Sequence, residues 1–198
     1  GGDDVSFQAS GKEQDYILYF GRLDTHTKGI DILFRAFARL GRADVRLILA
    51  GRGAPERIGE LRNLATELGI DDRTVFLGAA TQSQKNDLFG GALFVCMPSR
   101  YEGWGIVAIE AGAAGKAVIG TDIPGLADAI RHNETGLLVP SENPDALARA
   151  MGHLLDDPTR RRDLGNGGRK WADQFTWDRI AAEQERVYQK VYDAIQNS

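Results

Sequence analysis

Six short apolar runs recur along this chain with helix-length segments between them, and that rhythm limits the fold more than any other feature. The runs are YILYFG (16–21), VRLILAG (45–51), TVFLG (74–78), LFVCMPS (93–99), AVIGTD (117–122) and GLLVP (136–140). They are continuous rather than alternating, as strands covered on both faces must be. The segments between them carry helical signals. In GIDILFRAFARL (29–40), Ile32, Leu33, Ala36, Phe37 and Leu40 fall on one face. In PERIGELRNLATELG (55–69), Pro55 stands near the start and Gly69 past the end. Further helices are expected at 82–90 and 105–114, and a turn of helix near 124–131. Strands alternating with helices over short connections imply right-handed crossovers. The expectation is an α/β fold, a Rossmann-like doubly wound parallel sheet of about six strands with helices on both faces. From Pro144 the chain reads as a helical C-terminal tail, with Asn143 as its cap.

In such sheets ligands bind outside the carboxyl ends of the strands, where strand order reverses. The strand-to-helix turns are therefore where chemistry is sought. The first, GRLDTHTKG (21–29), holds Arg22 and Lys28 beside a helix start, which suits an anion such as a diphosphate. A solvated loop with ordinary basic residues is the other reading of that turn. The second, AGRGAPERIG, resembles a dinucleotide fingerprint, but Glu56 stands where the third glycine belongs and would repel a pyrophosphate. Gly51 there serves a tight turn or close ligand approach.

A later turn, YEGWGIVAIEAGAAG, is the most informative. Glu102 follows a strand directly, and Gly103 and Gly105 leave the backbone free to approach a ligand and donate its N–H groups. Glu110 lies among apolar residues and needs donors, because an unpartnered buried carboxylate costs several kcal/mol. A helix running straight through both acids would set them about 12 Å apart along its axis, too far to share a proton or a metal. The pair suits two separated parts of an extended ligand. An ordinary surface glutamate is the plain alternative for Glu110.

Composition removes other function classes. The chain has 198 residues and a net charge of -4, which offers no basic footprint for nucleic acid. No apolar stretch reaches the length of a membrane span. Cys96, the single cysteine, lies in ALFVCMPS and reads as a buried inert thiol. His26, His132 and His153 lack metal-ligand spacing. Asn133-Glu134-Thr135 matches a glycosylation acceptor by chance, since nothing else indicates secretion. A cytoplasmic location is expected. The polar, aperiodic residues 1–14 read as a linker or tag, and 15–198 as the domain.

Five stretches occur in order: FGRLDTHTKGIDILFRAF, LILAGRG, VFLGA, MPSRYEGWGIVAIEAGAAGKAVIGTD and TGLLVP. Together they resemble the C-terminal half of a retaining GT-B glycosyltransferase, of the large bacterial nucleotide-sugar-dependent family that includes mannosyltransferases. The most specific parts are the E-x7-E element, Glu102 to Glu110, and the pair Arg22 and Lys28. The resemblance implies a donor domain that binds a UDP- or GDP-sugar for retaining transfer of a hexosyl group. Arg22 and Lys28 would neutralise the diphosphate, Glu102 would contact the donor sugar, and Glu110 would accept from the ribose hydroxyls. The backbone of Gly103, Trp104, Gly105, Ile106 and Val107 would serve sugar and phosphate, with Gly21 and Gly51 at the strand ends close to the donor.

No cofactor and no metal are expected, since the two cations do the charge work. Acceptor binding, and any peripheral membrane contact, would belong to an N-terminal half that is absent here, so the domain alone would be inactive. Gly112, Lys116 and Asp128 depart from the family pattern, which bears on packing. Trp171, Phe175, Trp177, Tyr188 and Tyr192 exceed what one small domain needs, and the tail from Phe175 is expected to dock only partly. A non-catalytic nucleotide-sugar-binding module and an epimerase of the same architecture remain alternatives. A nicotinamide oxidoreductase is disfavoured by Glu56.

Overall fold

The computed structural model describes residues 13–175. Trp177, Tyr188, Tyr192 and most of the leading 1–14 segment lie outside the described residues. So does nearly all of the tail whose docking was in question.

Six strands form one sheet: β1 Tyr16–Phe20, β2 Arg46–Ala50, β3 Thr74–Gly78, β4 Phe94–Met97, β5 Val118–Thr121 and β6 Gly136–Val139. All pairings are parallel, in the order β3-β2-β1-β4-β5-β6. Strand order reverses between β1 and β4, the doubly wound arrangement expected from the sequence rhythm. The helices are α1 Thr25–Lys28, α2 Ile30–Leu40, α3 Pro55–Glu67, α4 Gln82–Gly91, α5 Ile106–Ala113, α6 Pro124–Ala127, α7 Pro144–Asp156 and α8 Pro158–Ala172.

The pleat divides the core in two. Ile17, Leu47, Leu49, Phe94 and Ile119 point to one face, where they meet Leu33, Phe34 and Phe37 of α2, Leu61 of α3 and Leu147 and Leu154 of α7. Tyr16, Leu18, Ile48, Val95 and Val118 point to the other, toward Leu88 and Phe89 of α4, Ala108 and Ala111 of α5, and Leu126 of α6. Cys96 is fully buried within the first layer, and burial pushes its thiol far up.

Two local features differ from the sequence reading. The turn after β1 contains the short helix α1, which Gly29 separates from α2 by taking a left-handed φ of 61°. The turn of helix expected near 124–131 is α6, as the sequence suggested. The tail is broken at Asp157, whose φ of -122° and ψ of 84° end α7 and cap α8. The following Pro158 disfavours helical backbone there. Asn143 caps α7 as expected, accepting from Ala146 N–H.

The departure at Gly112 also finds its reason. A Cβ at 112 would lie 2.8 Å from the carbonyl oxygen of Gly168, so α5 and α8 cross backbone to backbone. Glu13 and Gln14, placed by sequence in the leading segment, are tied to the fold. Gln14 N–H donates to Gly91 O at 2.8 Å, and Glu13 pairs with Arg161 at 2.8 Å.

Candidate functional site

The switch point between β1 and β4 places two loops side by side. The first leaves β1 through Gly21. Tyr19 Oη donates to Arg22 O at 2.7 Å and turns the chain. Asp24 then caps α1, accepting from His26 N–H at 2.9 Å and from Thr27 Oγ1 at 2.7 Å. This cap ends in Lys28 and the left-handed Gly29. A Cβ at Gly29 would lie 2.0 Å from Pro98 O, so the second loop is pressed directly against the first. Arg100 N–H and Tyr101 N–H both donate to Thr27 O, at 2.9 and 3.1 Å.

This contact brings two sequence-selected residues together. Lys28 Nζ lies 2.6 Å from Glu102 Oε2, and Ser99 Oγ approaches the same oxygen at 3.4 Å. Glu102 is held from behind by α6, since a Cβ at Gly125 would stand 2.1 Å from Glu102 O. Beside the pair is a hollow of about 140 Å³, lined by Lys28, Glu102, Trp104, Gly105, Ile106 and Val107 together with Tyr19, Phe20, Met97 and Ser99. Burial, and next the charge of Glu102, push the Tyr19 hydroxyl far up, so it stays a neutral donor. Gly105, at φ 59°, opens α5 without a side-chain cap. The first N–H groups of that helix have no intrahelical acceptor and are available to an anion.

Other selected residues stand differently. Arg22 is at the rim, its side chain 65% exposed and 3.6 Å from Asp24. The space beside Gly51 is filled by the Gly21 backbone, with a Cβ at 51 falling 1.7 Å from Gly21 O, so these two glycines serve close packing of strand ends. Glu110 is not in the hollow with Glu102. Helix α5 begins at Ile106, so no straight helix runs through both acids. Glu110 faces a separate groove of about 460 Å³ between α4 and α5, where it pairs with Lys85.

Lys85 was not singled out from the sequence, because a lysine in TQSQKNDLF reads as solvated surface. Its side chain is only 17% exposed, and its ammonium sits 5.3 Å from the Phe20 ring centre. Phe20 also lines the hollow, and its ring packs 5.3 Å from Phe89 of the groove. One phenyl ring therefore stands between the two cavities. Among the described residues no three His, Cys, Asp or Glu side chains gather to hold a metal ion. None of the helices there is long and apolar enough to cross a membrane.

The sequence model described as "Glycosyl transferases group 1" matches residues 3–171. A D-inositol 3-phosphate glycosyltransferase from Jonesia denitrificans is 37% identical over 185 residues, 90% of this chain and 43% of that protein. Among solved structures, the sucrose-phosphate synthase (tll1590) from Thermosynechococcus elongatus has a TM-score of 0.83 at 34% identity, covering 94% of this chain and 47% of that one. Anabaena Alr3699/HepE in complex with UDP and glucose has a TM-score of 0.80 at 24% identity, covering 91% and 49%, a likeness of fold. The chain thus spans less than half the length of these proteins. Its sheet order and these likenesses agree: the chain belongs to the group 1 glycosyltransferases, as their GT-B C-terminal domain.

Proposed function

We propose that this domain holds a UDP- or GDP-sugar donor for retaining transfer of a hexosyl group, without a metal ion. The observation that carries this reading is the Lys28–Glu102 pair beside the uncapped start of α5. A diphosphate lying there would meet the Lys28 ammonium, the free N–H groups at Ile106 and Val107, and Arg22 from the rim. These donors are charged or oriented before the ligand arrives, so they stabilise the negative charge that grows on the leaving diphosphate as the glycosidic bond breaks. Glu102 would orient the sugar through its hydroxyls. Glu110, across Phe20, would accept from the ribose, with Lys85 moving aside or sharing the carboxylate. The two cavities flanking one ring fit a ligand with a polar group at each end and a charged middle.

The domain alone offers half of a cleft. Acceptor recognition, transfer and any membrane contact would need the remainder of a protein about twice as long, and water is not excluded from the open half. The test is calorimetry of the chain against UDP, GDP and ADP, their sugars, and the parent nucleosides. Diphosphates binding better than nucleosides is the expected result. Nucleoside and diphosphate binding equally would overturn the reading. Robust sugar transfer or epimerisation by this chain alone would show that it is a complete enzyme of another kind.

A further inference from the structure

The Arg100 side chain takes no part in the machinery described so far, yet its guanidinium has no donor to spare. Nε–H and one Nη2–H reach the two oxygens of Glu142, the second at 3.2 Å. Nη1 donates to Thr25 O and to Asp31 Oδ1, the latter at 2.8 Å, and Nη2 donates to Asp31 Oδ2 at 2.9 Å. A guanidinium carries five N–H groups, and all five are placed. The acceptors come from three elements: the start of α1, the first turn of α2, and the loop between β6 and α7.

The main chain repeats the same contact, through Arg100 N–H and Tyr101 N–H to Thr27 O. Lys28 follows Thr27 directly, and Glu102 follows Tyr101 directly. The third acceptor is itself unusual. Glu142 has a φ of 57°, left-handed backbone that a non-glycine residue enters only at an energetic cost. The strained residue is the one whose carboxylate completes the set around Arg100.

We infer that Arg100 is a positioning residue. It locks the α1 segment against the Glu102 loop and so sets the 2.6 Å register of Lys28 on Glu102. The inference rests on the donor-site reading above for its functional meaning. Lysine cannot replace it, because three donors on one nitrogen do not span Thr25, Asp31 and Glu142.

The test uses the full chain with Arg100→Lys, Arg100→Gln and Glu142→Gly. One readout needs no ligand: the rate at which acetic anhydride modifies Lys28, read by peptide mass with Lys85 as internal reference. The others are calorimetry with UDP and GDP, and the melting temperature. Both Arg100 variants should speed Lys28 modification about fivefold relative to Lys85 and weaken the diphosphates about tenfold. Glu142→Gly relieves the backbone, so its melting temperature should hold or rise, while Lys28 modification still quickens about twofold.

A merely structural arginine would not separate stability from site order in this way. Unchanged Lys28 reactivity in folded variants overturns the inference, as does a parallel rise at Lys85, which would report general loosening. If the Arg100 variants fail to fold, Glu142→Gly decides alone, by the same two outcomes. A wild-type chain that binds neither UDP nor GDP would sink the donor-site reading, with the Lys28 labelling still deciding the positioning role.

Discussion

Lys28 Nζ and Glu102 Oε2 stand 2.6 Å apart although 74 residues separate them in sequence. Both side chains are less than a fifth exposed, at 19% and 18%. An ion pair so poorly hydrated leaves an exposed cost when either partner is removed, and it brings a cation and a carboxylate to one spot at the sheet's ligand edge.

Lys28→Ala should therefore weaken UDP or GDP by roughly 1.5–3 kcal/mol and leave the nucleoside nearly unaffected. Arg22→Ala should do the same more weakly, because that side chain is 65% exposed and screened. Binding should fall as salt rises. Calorimetry of both variants checks this, and equal losses for nucleoside and diphosphate would mean that the cations are structural.

The two glutamates should divide the ligand between them. Glu110→Gln should weaken every ribonucleotide by roughly 1–3 kcal/mol, and a 2′-deoxynucleotide by less. It also leaves the Lys85 ammonium without its carboxylate. Glu102→Gln should spare free UDP and GDP and weaken only the nucleotide sugar. Calorimetry with nucleotide, deoxynucleotide and nucleotide sugar tests the division. Identical losses for all three ligands in both variants would refute it.

Acid should loosen the Lys28 segment through its two aspartates. The Asp24 carboxyl is held below its ordinary value chiefly by the Thr27 hydroxyl and by backbone N–H groups. Burial pushes Asp31 up, but the hydrogen bonds and charge of Arg100 outweigh it, and the carboxyl is lowered overall. A carboxyl lowered in the folded state stabilises above its unfolded value and loses that contribution as pH falls through the folded one. The loss therefore begins near pH 3.8 and completes below the folded values. Asp24→Asn should flatten that part of the melting-temperature curve, and curves parallel to wild type would count against the argument.

Glu13 should matter more to stability than a surface acid does. It takes Arg161 at 2.8 Å and Lys116 at 3.5 Å, two cations buried to 7% and 8% exposure. Glu13→Gln should cost about 2–3 kcal/mol, because it strands both charges. Adding Lys116→Met should recover part of that loss. Burial lowers Lys116 below the ordinary lysine value despite Glu13. The unfolded chain then binds more protons between the folded pKa and 10.5, and stability rises with pH across that window. Denaturant titrations at several pH values check both the size and the sign.

Most of the fold was legible in the sequence, for a definite reason. Strands buried on both faces are written as unbroken apolar runs, and all six were found within a residue or two of their ends. Helix α1 was not, since four residues carry no periodicity and only the Asp24 cap and Gly29 define it. Of the site, Glu110 was correctly expected to need donors. Its donor, Lys85, stayed hidden, because periodicity cannot say which lysine a distant helix will meet. The position of Glu102 was legible from its place after a strand. Its partner was not, since the register of one loop on another is set by contacts such as Gly29 against Pro98 that leave no local pattern.

The crossing of α5 and α8 carries a consequence for anyone screening variants of this domain. Helix α5 presents Ile106 and Val107 to the hollow at one end and Glu110 to the groove further along, while Gly112 is in backbone contact with Gly168. A side chain at 112 must push the two helices apart, while one at 168 meets Gly112 Cα at 3.0 Å and needs a shift of a few tenths of an ångström. The displacement travels with α5 as a rigid rod into both cavities. Substitutions at Gly168, remote in sequence and touching no ligand, would then surface in a binding screen among the hits that look like direct contacts. A melting-temperature measurement on each hit is what tells the two kinds apart.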